Sequence, residues 1–142
     1  MKVKYIRLSP NAQLPCKSTA GAAAYDLYAN ENAFIPVGET VSIGTGISME
    51  IPEGWKGEVY SRSGLSYKGV VVANSPGKID SDYRGEITVL LHNVRQREMV
   101  GIKAGDRIAQ FEINPVHDIE FEEAPELTES ERGEGGFGST GT

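Results

Sequence analysis

Within Asp80-Ser81-Asp82-Tyr83-Arg84 the chain sets two carboxylates, a phenol and a guanidinium inside five residues. A carboxylate fixed beside an aromatic ring can orient and deprotonate a water next to a stacked ligand, which is general-base chemistry. In an unconstrained loop the same residues would only be solvated side chains. The flanking sequence speaks for constraint. Asn74-Ser75-Pro76-Gly77 is a turn signal, because Pro presets φ and Gly accepts positive φ. Gly85 is a second pliable point, and Ile87-Thr88-Val89-Leu90-Leu91 has the composition of a strand. The spacing predicts a tight β-hairpin over residues 74–86, with Lys78, Ile79 and Asp80 following its first turn.

Other stretches offer anion-binding chemistry. Ser61-Arg62-Ser63-Gly64-Leu65 is predicted to be a turn in which a charged donor, a hydroxyl and a main-chain amide can meet one anion. The plainer reading is a surface turn that happens to hold an Arg. Gly105-Asp106-Arg107-Ile108-Ala109-Gln110 begins as a turn and ends with Gln110 on a strand, and an Asp106–Arg107 pair would brace that turn. Residues 132–142, Arg-Gly-Glu-Gly-Gly-Phe-Gly-Ser-Thr-Gly-Thr, imitate a phosphate loop in the Gly133-to-Ser139 spacing, but lack its Lys and any following helix. Two readings stand side by side. One is a disordered tail. The other is a lid that orders over a ligand, with Phe137 stacking while Arg132, Ser139 and Thr140 gather phosphates.

The elements that must hold these groups read as β throughout. Alternating runs at 3–8, 40–43, 47–51, 55–60 and 107–113 are punctuated by Gly and Pro. Residues 22–28 form a small-residue strand carrying Asp26, and 70–73 a short apolar one. Such spacing predicts an all-β barrel or jelly roll. The one helix signal, Thr128 with Glu131 spaced as a capping box, has no apolar run behind it. A polar tail begins near Glu122, so a barrel over 1–121 and a flexible arm over 122–142 are expected.

Composition excludes several classes. The 142 residues suit one domain with a single core. A net charge of −6 leaves no basic footprint for nucleic acid. No apolar run is long enough to span a bilayer, and the first residues lack a signal-peptide core. The one cysteine, Cys16, rules out an internal disulfide and fits a reducing, cytoplasmic setting. Neither His92 nor His117 sits in a motif that would make Cys16 a nucleophile.

Taken in order, Ala24-Tyr25-Asp26-Leu27, Arg62-Ser63-Gly64-Leu65, residues 77–86, 105–110 and 132–141 resemble the five motifs of the trimeric dUTPases (deoxyuridine triphosphate nucleotidohydrolases). The resemblance covers nearly the whole chain. Ala24 and Ser61 stand where the family usually has Gly and Pro, the stretch at Lys68-Gly69 is one residue short, and Lys78 replaces an aliphatic residue beside the catalytic turn. The resemblance implies a jelly-roll (β-clip type) subunit in a homotrimer whose sites draw on more than one chain, and Mg²⁺-dependent hydrolysis of dUTP to dUMP and pyrophosphate. It makes Asp80 the base for water attack on the α-phosphorus. Substrate would be held by Arg62, Ser63, Gly64, Gln110 and Arg132, with Phe137, Gly138 and Ser139 in the arm. Asn74, Gly77 and Ile79 would read uracil, Tyr83 would pack under the deoxyribose, and Asp26 would act on Mg²⁺ from the second shell, through water. A dCTP deaminase shares the fold and triphosphate pocket but asks for a glutamate near the base. A non-catalytic trimer that docks a regulator is the alternative from another class.

Overall fold

A computed structural model describes residues 1–137 and 139. The alternating runs become ten strands: β1 (Lys4–Arg7), β2 (Tyr25–Tyr28), β3 (Ala33–Ile35), β4 (Thr40–Glu50), β5 (Trp55–Tyr60), β6 (Val70–Val72), β7 (Gly77–Ile79), β8 (Glu86–Asn93), β9 (Val100–Ile102) and β10 (Arg107–Pro115). They pair antiparallel in two four-stranded sheets, β1-β4-β8-β6 and β2-β10-β5-β7, with β3-β9 as a separate ribbon. Period-2 alternation sends one side of each strand inward. Ile43, Ile47, Ile87, Val89 and Leu91 of the first sheet and Leu27, Val59, Ile108 and Phe111 of the second are all buried in one core. Each such side chain contributes roughly 1.5–3 kcal/mol relative to exposure. At Gly57 the fit leaves no room, since an added Cβ would lie 2.7 Å from the Phe111 ring.

Several expectations are corrected. Residues 74–86 are not a hairpin: β7 pairs with β5, while β8 pairs with β4 and β6, so the chain changes sheets between Ile79 and Glu86. The chain does turn before Pro76, but Gly77 is the first residue of β7 and neither it nor Gly85 takes positive φ, and the partner of each strand is set by burial. Ile87, Val89 and Leu91 enter the core from the other sheet. The only helix among the described residues, α1 (Ser63–Tyr67), falls where a turn was expected, and the Thr128–Glu131 spacing heads no helix. The small-residue run at 22–28 becomes a strand only from Tyr25, because Ala22 N–H is spent on Thr19 O at 3.1 Å. Runs 40–43 and 47–51 fall on one strand, β4, with an irregular register between Gly44 and Ser48. Gly46 takes φ +69° there and donates its N–H to Glu86 Oε1 at 2.6 Å, fixing the foot of β8.

Past β10, Val116 N–H donates to Gly54 O at 2.8 Å. From 117 to 137 the described residues form no strand or helix. Their hydrogen bonds stay within the segment. No helix among the described residues is long and apolar enough to cross a membrane.

Candidate functional site

Asp26 is the centre of the first cluster. It lies on β2 directly opposite Gln110 of β10, which in turn stands opposite Tyr60 of β5. The Asp26 side chain is 4% exposed. A buried carboxylate persists only with partners, and three converge here. Arg62 donates Nε–H to Oδ1 at 2.9 Å. Ser18 donates its hydroxyl to Oδ2 at 2.5 Å, and Arg107 Nη1 reaches the same oxygen at 3.4 Å. Burial pushes the Asp26 carboxyl up, but the Ser18 hydroxyl and the Arg62 and Arg107 guanidiniums outweigh it and hold the group below the usual carboxylate range.

Arg62 is further fixed by donating Nη1–H to Arg107 O at 3.0 Å. Its backbone is extended (φ −90°, ψ 132°), just before α1. The amides of Ser63 and Gly64, in the first turn of that helix, have no intrahelical acceptor. A Cβ on Gly64 would meet nothing within 4 Å, so the approach is open. Two guanidiniums tied to one carboxylate, each partly exposed, suit bidentate contact with phosphate oxygens. Arg107 was missed as a member of this cluster. The sequence pairs it with its neighbour Asp106, whose carboxylate instead accepts Lys103 N–H at 2.8 Å.

Asp80 and Tyr83 form a second cluster. Tyr83 N–H donates to Asp80 O at 3.2 Å, closing a turn. The Tyr83 hydroxyl donates to Glu86 O at 3.0 Å, and its ring lies so close to Gly85 that a Cβ there would come 2.5 Å from Cζ. Arg84 Nη1 donates to Ser81 O at 2.7 Å and Tyr83 O at 2.9 Å, bracing the same turn. The Asp80 carboxylate is exposed and accepts no hydrogen bond from the described residues. Asn74 lies against Gly77, whose added Cβ would be 3.0 Å from Asn74 Nδ2. Lys78 does not bear on Asp80 through an ion pair, because its ammonium is engaged by Glu58.

The two clusters stand apart in one chain. Ile79 is opposite Gly57, so Asp80 is level with Lys56 at one end of β5, whereas Arg62 leaves the other end. Six residues of extended chain separate their backbones by about 20 Å. The described residues of the arm join neither. Arg132 Nε donates to Gly135 O at 2.7 Å, Phe137 is fully exposed, and Ser139 N–H bonds Gly136 O at 3.0 Å. Gly138 and Thr140 lie outside the described residues.

The family model described as dUTPase matches residues 10–141. The deoxyuridine 5'-triphosphate nucleotidohydrolase of Anaplasma marginale is 47% identical, covering 100% of this chain and 99% of its own. That of Nautilia profundicola is 49% identical, covering 99% of each. Among solved structures, a mutant Staphylococcus bacteriophage 80alpha dUTPase with dUpNHpp superposes with a TM-score of 0.89 at 30% identity, covering 99% of both chains. A mutant dUTPase of the S. aureus phage phi11, described with a structural Mg(II) ion, has a TM-score of 0.80 at 27% identity, covering 89% of this chain and 99% of its own.

Proposed function

The chain belongs to the dUTPase family and is a hydrolase that converts dUTP to dUMP and pyrophosphate, and from that premise we propose how its residues share the reaction. Asp80 is the base. It takes a proton from a water that bonds to the α-phosphorus as the bond to the leaving pyrophosphate breaks. Arg62, the Ser63 and Gly64 amides and Gln110 hold the phosphate chain, so the chemistry rests on positioning and charge neutralisation. Asn74 with the main chain at Gly77 and Ile79 reads the uracil edge, and Tyr83 lies under the deoxyribose. The arm, residues 122–142, closes the site, bringing Arg132, Phe137, Gly138 and Ser139 to the nucleotide.

Mg²⁺ fits this arrangement as a cation carried by the triphosphate. No group of three His, Cys, Asp or Glu that would cage a metal exists among the described residues, and Mg²⁺ commonly leans on substrate phosphates and keeps its waters. Asp26, with its oxygens already engaged by Ser18, Arg62 and Arg107, suits contact with that water shell better than direct ligation. When bound, Mg²⁺ would neutralise phosphate charge.

The observation that carries the reading is the separation of Asp80 from Arg62 along β5. That spacing supports a working site that takes Asp80 from one copy and Arg62 from another. A homotrimer closes such a heterologous contact into a ring. An exposed thiol at Cys16 suits a cytoplasmic setting. Pyrophosphate release measured with dUTP, and with dCTP as control, tests the assignment. Rapid release from dUTP alone is expected, and ammonia from dCTP would point to a deaminase.

A further inference from the structure

We infer that Ser18 is a positioning residue, whose hydroxyl relays Arg107 onto Asp26 and so sets the second guanidinium of the phosphate receptor. The inference rests on the reading of the Arg62 cluster as that receptor. Ser18 lies in the loop before β2, outside every motif that pointed to function. Its place is fixed by the chain: Asp26 N–H donates to Cys16 O at 2.8 Å, and Ala22 N–H closes a turn onto Thr19 O at 3.1 Å. The Cys16 thiol and Tyr28 hydroxyl, 2.9 Å apart, pin the same loop to β2. The loop therefore folds back over Asp26 and delivers one hydroxyl to it.

That hydroxyl is used on both sides. It donates to Asp26 Oδ2 at 2.5 Å and accepts from Arg107 Nη1 at 2.8 Å. The direct contact between Arg107 and Asp26 is longer, 3.4 Å. The Arg107 side chain is 46% exposed against 23% for Arg62. Arg62 has two short anchors of its own, to Asp26 and to Arg107 O. Among the described residues Arg107 has one short side-chain anchor, and it is Ser18. A long cationic side chain at a half-exposed position loses its geometry when its only short contact goes. Removing the hydroxyl should leave Arg62 in place and let Arg107 wander, so contacts to the outer phosphates suffer and contacts to the nucleoside do not.

The test compares Ser18→Ala and Ser18→Thr with the parent, using inorganic pyrophosphate and dUMP as competing ligands of dUTP hydrolysis. Ser18→Ala should weaken pyrophosphate about tenfold, the scale of a hydrogen bond to a charged group, with dUMP inhibition unchanged and the melting temperature lowered modestly, because Asp26 keeps Arg62 and Arg107 but loses one partner. Ser18→Thr, which keeps the hydroxyl, should restore pyrophosphate binding. Unchanged pyrophosphate inhibition in Ser18→Ala would overturn the proposal. Equal weakening of both ligands would overturn it too, since the hydroxyl would then serve only the fold. Should Ser18→Ala fail to fold, Ser18→Cys preserves side-chain volume with a poor hydrogen-bond partner and makes the same comparison. Arg62→Gln separates the two levels. If it weakens pyrophosphate and Ser18→Ala does not, the positioning role alone is lost; if neither does, the receptor lies elsewhere.

Discussion

Asp26 and Asp80 are the same side chain in opposite surroundings. Asp26 is largely buried and surrounded by donors, so it stays ionised and anchors the two guanidiniums. Asp80 is exposed on a braced turn, so its lone pairs remain open to a water. Replacing Asp80 by Asn should cut the turnover number at least ~100-fold, the low end for a positioned base, while dUMP binding, followed by calorimetry, is retained. Near-parental turnover would remove Asp80 from that role. Asp80 stood out in the sequence because Pro76-Gly77, an aromatic and a second Gly surround it. Arg107 and Ser18 did not. A partner adjacent in sequence, Asp106, hid the true partner 81 residues away. Ser18 has no signature at all until the loop folds back.

At the level of strands, β5 and β7 are joined on their outer face by charge. Glu58 is buried and takes hydrogen bonds from Lys78, Asn114 at 2.6 Å and Tyr60 at 2.9 Å. Lys78 first, then Asn114 and Tyr60, draw its carboxyl down to about 2, while burial opposes them. A carboxyl lowered on folding stabilises fully above its unfolded value near 4.5, and that stabilisation disappears as pH falls towards 2. Lys78→Met should therefore melt lower than the parent at pH 7, and the gap should close on acidification between about pH 4.5 and 2. A gap independent of pH would mean that the Lys78 stem, not its charge, holds β7. The strands themselves were readable from alternation; their partners were not. Residues 74–86 show why: local pattern marks where a chain turns, but which sheet receives Ile87 depends on a core built from distant residues. The five-residue α1 lacks any apolar stripe that sequence could display, since none of its residues is buried.

For the whole molecule the arm and the shared site make linked predictions. Deleting residues 132–142 should abolish most activity yet leave the melting temperature and oligomer mass unchanged, because the described hydrogen bonds of that segment are local. A large fall in melting temperature would make the arm part of the fold instead. Mixing the truncated chain with the Asp80→Asn chain, by unfolding and refolding together, should then recover about a quarter of parental activity. Either mixed ring contains one site with an intact Asp80 and an arm from another copy. Mixed trimers as inactive as their parents would assign each arm to its own subunit. If the roughly 20 Å between Asp80 and Arg62 along β5 does divide the site between copies, it also sets when activity arrives. On the shared-site proposal a lone newly folded chain would be silent, so folding would be first order in chain while catalysis would appear at higher order. During refolding, fluorescence of the single Trp55 should recover at a rate independent of dilution, and dUTP hydrolysis should lag further behind it with each dilution.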